Sequence, residues 1–358
     1  MRARERRSFF TPGPEEMKDT FSRILILNQN WLGDVLFSTP AIRALRQRYP
    51  QAHITCLAPR RVAEVLSHNP NLNEVLVYNE RAMLVTLFEP LRILWMMRCR
   101  RFEAVFFFHR SRSKAFLAWL AGIPVRVGFS REGRGWLLTH PVAMPRGSLH
   151  KTDLFLYLLA TLGISSAGRW PEMEATREEE KALNDLLLTE GISKEQSFVV
   201  LHVGGNWDLK RWPIEYFIRW TRLFLESRDW KVVLCGSAGE ERLARQVLQA
   251  FPGGKVVSLC GRTKLGELAA LMKRAKMVLS NDSGPIHVAA SQRARTLGLF
   301  GPTSPMETGP ISEGPLRVLW KDVGCQVPCY FRACNGRACM NFLTPEEVFE
   351  RTQELLAL

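Results

Sequence analysis

The sequence predicts an α/β chain made of two tandem units, each a parallel sheet flanked by helices. Three observations predict this. Short apolar runs alternate with longer segments of helical spacing along most of the 358 residues, the pattern of a parallel sheet covered by helices. The alternation pauses in a polar, charged stretch around residues 170–180 and then resumes. Finally, Asn281-Asp282-Ser283-Gly284-Pro285-Ile286-His287, followed by Phe300-Gly301-Pro302-Thr303, places small-residue turns at two neighbouring strand ends.

The elements follow in order. Residues 23–28 (RILILN) read as a first apolar strand, and residues 34–49 as a helix with Val35, Leu36, Ala41, Ile42 and Leu45 on one side. Further strands are expected at 53–58, 75–78 and 104–108, with helical segments between them. In the second unit strands are expected at 198–202, 231–235, 256–259, 277–280 and 296–300. Helices are expected after Pro213, over 240–250, from Leu265, and after the Asp282 turn. There Pro285 suits the first helical position, which needs no N–H donor, and Asp282 or Ser283 suits the cap. A last helix over 345–356 begins at Thr344 as its N-cap. The expected organisation is a disordered basic extension over 1–20, a first unit over 21–175, a second over 176–342 and the closing helix over 343–358.

The loops carry the chemistry. A helix N-terminus after a strand offers free N–H groups to a phosphate, and two adjacent strand ends form a crevice for a nucleotide. Asp282, Ser283, Gly284 and His287 are therefore candidate donor-binding residues, with a packed helix histidine as the alternative for His287. Asp34 follows Gly33 at the head of the first helix. It reads either as a helix-capping carboxylate or as a general base kept ionised by the helix dipole. Gly205 and Asn206 leave a strand, and Lys210 and Arg211 precede a helix. The two cations read as a diphosphate clamp or as ordinary surface charges. Glu240, after Gly236-Ser237-Ala238-Gly239, suits a ribose hydroxyl pair or a simple first-turn position, and residues 261–265, which include Thr263, suit a base. The first turn lacks the glycine fingerprint of dinucleotide enzymes, and there is no P-loop pattern. This disfavours oxidoreductase and nucleotide-triphosphatase readings.

The chain carries a formal net charge of +14, which calls for an anionic partner. Residues 98–151 hold eleven Lys/Arg against two Glu. Arg110, Arg112, Lys114, Arg126, Arg131 and Arg134 lie there, and Arg131 and Arg134 are the candidate acceptor-binding residues. No zinc finger, basic zipper or RNA-binding sheet motif occurs, so nucleic acid is not expected as a partner. No Asp-x-Asp pair occurs, so a site without metal or other cofactor is expected, with cations and helix dipoles in place of a divalent ion. Cys56, Cys99, Cys235 and Cys260 read as core thiols, whereas Cys325, Cys329, Cys334 and Cys339 cluster near the C-terminus. That cluster leaves reduced packing thiols, a metal site or disulfides open. No signal peptide and no membrane-spanning run is read, so the expectation is a cytoplasmic protein, peripheral to a membrane if bound to one.

Taken together, Asn28 to Pro40, Lys210-Arg211-Trp212-Pro213, Gly236 to Glu241, Asn281 to Ala290 and Phe300 to Pro305 resemble glycosyltransferase family 9, the lipopolysaccharide heptosyltransferases. Within it they look most like the heptosyltransferase II group. The resemblance implies a GT-B fold, two Rossmann-like domains facing across a cleft with the last helix returning to the first domain. It implies an acceptor-binding first domain and a nucleotide-sugar-binding second domain. It further implies inverting, metal-independent transfer of heptose from ADP-heptose to a phosphorylated lipid A-core acceptor at the cytosolic face of the inner membrane. On this resemblance Asp34 is the catalytic base, Lys210 binds phosphate and Glu240 contacts the donor. Asp282, Ser283 and Gly284 contact sugar and phosphates, with His287 in step, and Thr263 lies on the adenine side. Gly205-Asn206 departs from the hydroxyl residues of some members. Another nucleotide sugar or acceptor, or a non-catalytic nucleotide-binding paralogue, remains the alternative.

Overall fold

The computed structural model describes residues 17–166, 168–329, 334 and 336–358, apart from the side chain of Glu132. Residues 1–16 of the expected N-terminal extension lie outside the described residues. Residues 17–20 do not hang free. Arg48 donates to the Asp19 carbonyl at 2.7 Å and Tyr49 to that of Lys18 at 3.4 Å.

The first half runs β1 (Arg23–Leu27), α1 (Leu32–Arg48), β2 (His53–Pro59), α2 (Arg60–Ala63), β3 (Glu74–Tyr78), α3 (Glu80–Val85) and α4 (Phe88–Arg100). It continues with β4 (Ala104–Phe107), α5 (Arg112–Leu120), β5 (Val125–Phe129), β6 (His140–Val142) and α6 (Lys151–Ala160). The second half runs α7 (Arg177–Thr189), β7 (Phe198–His202), α8 (Ile214–Ser227), β8 (Lys231–Leu234), α9 (Glu241–Gln249), β9 (Val256–Ser258) and α10 (Leu265–Arg274). Then come β10 (Val278–Asn281), α11 (Gly284–Ser291), β11 (Thr296–Phe300), α12 (Pro305–Thr308), β12 (Leu316–Trp320), α13 (Ala338–Asn341) and α14 (Pro345–Ala357).

Each half holds a six-stranded parallel sheet, in the orders β3-β2-β1-β4-β5-β6 and β12-β11-β10-β7-β8-β9. Counted within its own half, each sheet has the strand order 3-2-1-4-5-6, which reverses direction between its first and fourth strands. Ligands bind at that switch point in such sheets. The switch points fall at the ends of β1 and β4 and of β7 and β10. These are the loops that carry Asp34, Lys210 and Asp282.

Packing follows the period-2 alternation of the strands. On β1, Leu25 and Leu27 enter the outer core of the first half with Ile93, Met96 and Met97. Ile24 and Ile26 face the other way, into a core continuous with Val200, Val233, Leu271 and Val288 of the second half. Helices α1, α10 and α11 thus share one apolar interior that joins the two sheets. A second outer core lies behind β7 and β10.

Cys99, expected as a core thiol, is exposed, unlike the buried Cys56, Cys235 and Cys260. The structure also corrects the reading of the elements in three places. Strands β5, β6 and β12 were not expected; all lie toward the sheet margins, and only three to five residues form each. Ser283 is the N-cap of α11, but its side chain makes no capping bond, and Gly284 precedes Pro285 in the first turn. The closing helix α14, expected to return to the first half, packs among the described residues on the second. Val348 and Leu355 sit in the second half's own core, Trp220 donates to Thr352 at 3.2 Å, and Arg219 pairs with Glu346 at 3.0 Å. The apolar stripe of α8 supplies the surface that α14 covers.

Candidate active site

The site is built where the heads of α1 and α11 meet across the two halves. Gly33 and Gly284 make this approach possible. A Cβ on Gly33 would lie 2.7 Å from His287 Cδ2, and one on Gly284 would lie 2.4 Å from Leu32 Cδ2. The Phe37 ring stands edge-on to His287 at 4.6 Å and to His150 at 4.9 Å, so a single aromatic of α1 is held between two imidazoles.

On the α1 side, Asp34 lies in the first helical turn and accepts from Lys151 Nζ at 2.6 Å. Lys151 opens α6, where His150 is the N-cap and its Nδ1 accepts from the Thr152 N–H at 3.1 Å. Its Nε2 pairs with the Gly309 carbonyl at 2.9 Å, which ties α6 to the second half. Beside this wall, Tyr78 donates to Asn30 at 2.9 Å and Arg61 stacks over Trp31 at 4.1 Å.

On the α11 side, Asp282 is buried and accepts from Lys210 Nζ at 2.7 Å and from the Thr303 hydroxyl. With Asp282 so occupied and Ser283 making no cap, the first-turn N–H groups of α11 receive no capping side chain. An anion is their natural partner. Asn281 fixes the neighbouring loops. Its side chain accepts from the Trp212 N–H at 3.0 Å and donates to the Gly204 carbonyl at 2.8 Å.

Glu240 is tied into the same loops. Oε1 accepts from the Gly205 N–H at 2.8 Å and pairs with His202 Nε2 at 3.2 Å, and Oε2 accepts from the Ser237 N–H at 2.7 Å. Burial raises its pKa, but the His202 and Ser237 bonds outweigh this and hold the carboxyl at about 2. Glu240 is therefore ionised, and its carboxylate braces the Gly205 turn. Both oxygens of the carboxylate expected to take a ribose hydroxyl pair thus already serve the protein.

His287 sits where the two walls join. Burial pushes its imidazole down to about 4; Asp282 works against this, while His150, Lys210 and Lys151 add to it. The ring is neutral at ordinary pH, and its Nδ1 is buried with no hydrogen-bond partner among the described residues. Lys151 from the first half and the Lys210–Asp282 pair from the second thus act on one imidazole.

Other expected residues are placed differently. Arg211 turns back on its own loop, donating from Nε and Nη2 to the Gly205 carbonyl at 3.0 and 2.7 Å and pairing with Asp208. It shapes the turn, and Lys210 is the cation left facing Asp282. Asn206 is exposed and Thr263 half-buried just before α10. Arg131 is exposed, but Arg134 is buried, with Nε donating to the Phe129 carbonyl at 2.9 Å and Nη1 to that of His109 at 2.8 Å. Lys114 is also buried, against Tyr78, and burial lowers its ammonium to about 8. The basic stretch of the sequence is thus partly internal scaffolding.

Lys151 was visible in the sequence only as one charge among many. Nothing local to it signals a partner in α1. Thr303 lay inside a quoted motif without a role, and its bond to Asp282 appears only once β10 and β11 are neighbours.

The chain is similar to known proteins over most of its length. The profile of glycosyltransferase family 9 (heptosyltransferase) matches residues 91–333. Lipopolysaccharide heptosyltransferase 2 of Salmonella typhimurium (strain LT2) is 26% identical, with 94% of this chain and 99% of that protein covered. The solved E. coli ADP-heptose lps heptosyltransferase II superposes with a TM-score of 0.79 at 25% identity, covering 94% of this chain and 98% of that one. The glycosyl transferase family 9 structure from Veillonella parvula reaches a TM-score of 0.85 at 23% identity, covering 96% and 99%, a likeness of fold. Two facing parallel-sheet halves with switch-point loops at their junction are the GT-B arrangement. On profile, fold and length alike, the chain belongs to glycosyltransferase family 9 and is a glycosyltransferase.

Proposed function

We propose that this enzyme moves a heptose from ADP-heptose to the inner core of a lipopolysaccharide acceptor, with inversion and without a metal ion. The observation that carries the proposal is the meeting of Asp34, on the head of α1, with the Lys210–Asp282–α11 cluster around His287. One wall offers a carboxylate. The other offers a cation and an uncapped helix N-terminus, the equipment for a departing diphosphate.

The reaction is a single displacement. Asp34 accepts the proton of the acceptor hydroxyl as that oxygen bonds to the anomeric carbon. The bond from that carbon to the diphosphate breaks, and its electron pair leaves with ADP. Lys210 and the first-turn N–H groups of α11 stabilise the charge that grows on the phosphate oxygens. Attack opposite the leaving group inverts the anomeric centre. Gly205, Asn206, Glu240 and Thr263 line the expected path of the nucleotide, and Arg131 belongs to the acceptor side. A phosphorylated, lipid-borne acceptor implies work at the cytosolic face of the inner membrane.

The test is direct. Purified enzyme is incubated with ADP-heptose and heptose-deficient lipopolysaccharide, with and without EDTA, and the product is weighed by mass spectrometry. A one-heptose gain in both reactions is expected. No gain, or a gain abolished by EDTA and restored by magnesium, overturns the corresponding part of the proposal.

A further inference from the structure

Among the described residues, the largest concentration of exposed apolar side chains lies away from the cleft floor. At the α3–α4 corner Leu84, Val85, Leu87 and Phe88 are between 73 and 86% exposed. Leu91 and Trp95 extend the row along α4 at 60 and 68%. Positions 88, 91 and 95 fall on one helical face, whereas Ile93, Met96 and Met97 turn inward to the core. The exposed row is therefore a second apolar face on a helix that already has a buried one.

The row does not end with α4. Arg98 donates to the Leu120 carbonyl at 3.2 Å, joining α4 to α5. There Phe116 and Trp119 are exposed with ring centroids 5.5 Å apart, and Trp119 meets the exposed Trp136 at 6.1 Å. Three tryptophans thus stand on one apolar surface. Indole rings prefer the boundary between water and lipid.

Charge identifies the partner. Residues 80–120, from the start of α3 to the end of α5, hold eight Arg/Lys against three Glu. Glu80 is paired with Arg61, and Glu89, which is buried, with Arg92, so Glu103, which accepts from the Ser22 N–H, is the carboxylate left to set against these cations. Arg81, Arg98 and Arg112 are exposed around the apolar row. Apolar residues ringed by cations match the boundary of an anionic bilayer. No helix among the described residues is long and apolar enough to cross a membrane, so the fit is with a surface that lies on the bilayer.

We infer that the α3–α4 corner, with α5 and Trp136, is the face by which this enzyme docks on an anionic phospholipid bilayer. The inference deepens the proposed function, since it assigns the face that brings the cleft to a membrane-borne acceptor. Position supports it. Both α3 and α5 begin at the carboxyl edge of the first sheet, the edge that carries Asp34, and Tyr78 links that edge to Asn30.

The experiment is flotation of full-length enzyme with vesicles of phosphatidylethanolamine and phosphatidylglycerol, and with vesicles of phosphatidylcholine. The wild type is compared with Leu87→Glu/Trp95→Glu and with Arg98→Gln/Arg112→Gln, each checked by circular dichroism and size-exclusion chromatography. Strong binding to the anionic vesicles is expected, with at least a tenfold weaker partition for the apolar double variant. The arginine variant should lose binding at low salt. Heptose transfer to a de-acylated, water-soluble acceptor should be unchanged in all three. Equal flotation of wild type and the Leu87→Glu/Trp95→Glu variant overturns the inference, as does equal binding of the wild type to phosphatidylcholine. A wild-type dimer that this variant disperses, with no vesicle binding, overturns it in favour of a contact between copies. Vesicle binding lost in the variants while no protein transfers heptose supports the docking face and tells against the heptosyltransferase reading alone.

Discussion

Lys151 Nζ stands 2.6 Å from Asp34 Oδ1, across 117 residues of sequence. The pair joins the first turns of α1 and α6, and it orients the carboxylate proposed to take the acceptor proton. Asp34 is the less exposed partner, at 14% against 41% for Lys151. Asp34→Asn should leave ADP binding within about twofold of wild type and lower turnover by about 10²–10⁴, the usual contribution of a general base. Lys151→Ala should cost much less, at most about fivefold, because a part-exposed ion pair contributes at most about 1 kcal/mol. The double variant should be no slower than Asp34→Asn alone, since Lys151 acts through Asp34. Single-turnover rates for the three proteins check this; additive losses would show that Lys151 has a separate role.

The second ion pair predicts a donor effect. Lys210 and Asp282 satisfy each other in the free protein, so a bound diphosphate must share or take over the lysine. Lys210→Ala should weaken ADP binding by about tenfold and slow transfer further, because leaving-group charge is greatest in the transition state. Calorimetric ADP titration beside kcat measurement separates the two. Unchanged ADP affinity would remove Lys210 from the donor site.

Acid sensitivity follows from His287 and Glu240. The folded His287 imidazole is held at about 4 against an ordinary 6.5. Between those values the unfolded chain binds a proton that the folded chain refuses. Its stabilising effect is complete above about pH 6.5 and is lost as pH falls towards 4. Glu240, held at about 2 against 4.5, contributes stability present above 4.5 and lost as pH falls towards 2. Urea melts at about pH 7 and about pH 5 should therefore show a marked loss for wild type. His287→Gln should reduce that loss by on the order of 2 kcal/mol, with the part due to half-buried His109 remaining. Equal losses in the two proteins would contradict a buried, neutral His287.

Much of this was legible in the sequence because the signals are local. Apolar runs gave the central strands, and the loops after β1, β7 and β10 were readable as strand–turn–helix passages. The marginal strands β5, β6 and β12 were missed because short segments carry little periodic signal. The position of α14 was misjudged because a resemblance stood in for a packing argument; its buried residues find their partners in α8 and the second sheet. The Lys151–Asp34 and Thr303–Asp282 contacts depend on chain topology and leave no trace in local spacing. Charge counting misled most at Arg134 and Lys114. A run of cations looks like a surface until the fold shows which of them reach inward to hold carbonyls and a phenol.

That distinction separates Arg131 from Arg134. Arg131 is exposed in the loop after β5, whereas Arg134 is 1% exposed and bonds the carbonyls of Phe129 and His109. Arg131→Ala should raise the acceptor KM about threefold to tenfold at low salt, with donor KM unchanged. The effect should fade with added salt, since exposed charges are screened within about 8–10 Å near physiological ionic strength. Arg134→Ala should instead unfold at lower denaturant, by about 2–4 kcal/mol, because a buried and a part-buried carbonyl lose their donor and a cavity opens beside Phe107. Salt should scarcely change that loss. Denaturant melts and acceptor kinetics at low and high salt test both variants together. A salt-sensitive acceptor defect in a fully stable Arg134→Ala protein would place Arg134 at the acceptor after all, and an unaltered acceptor KM in Arg131→Ala would take Arg131 away from it.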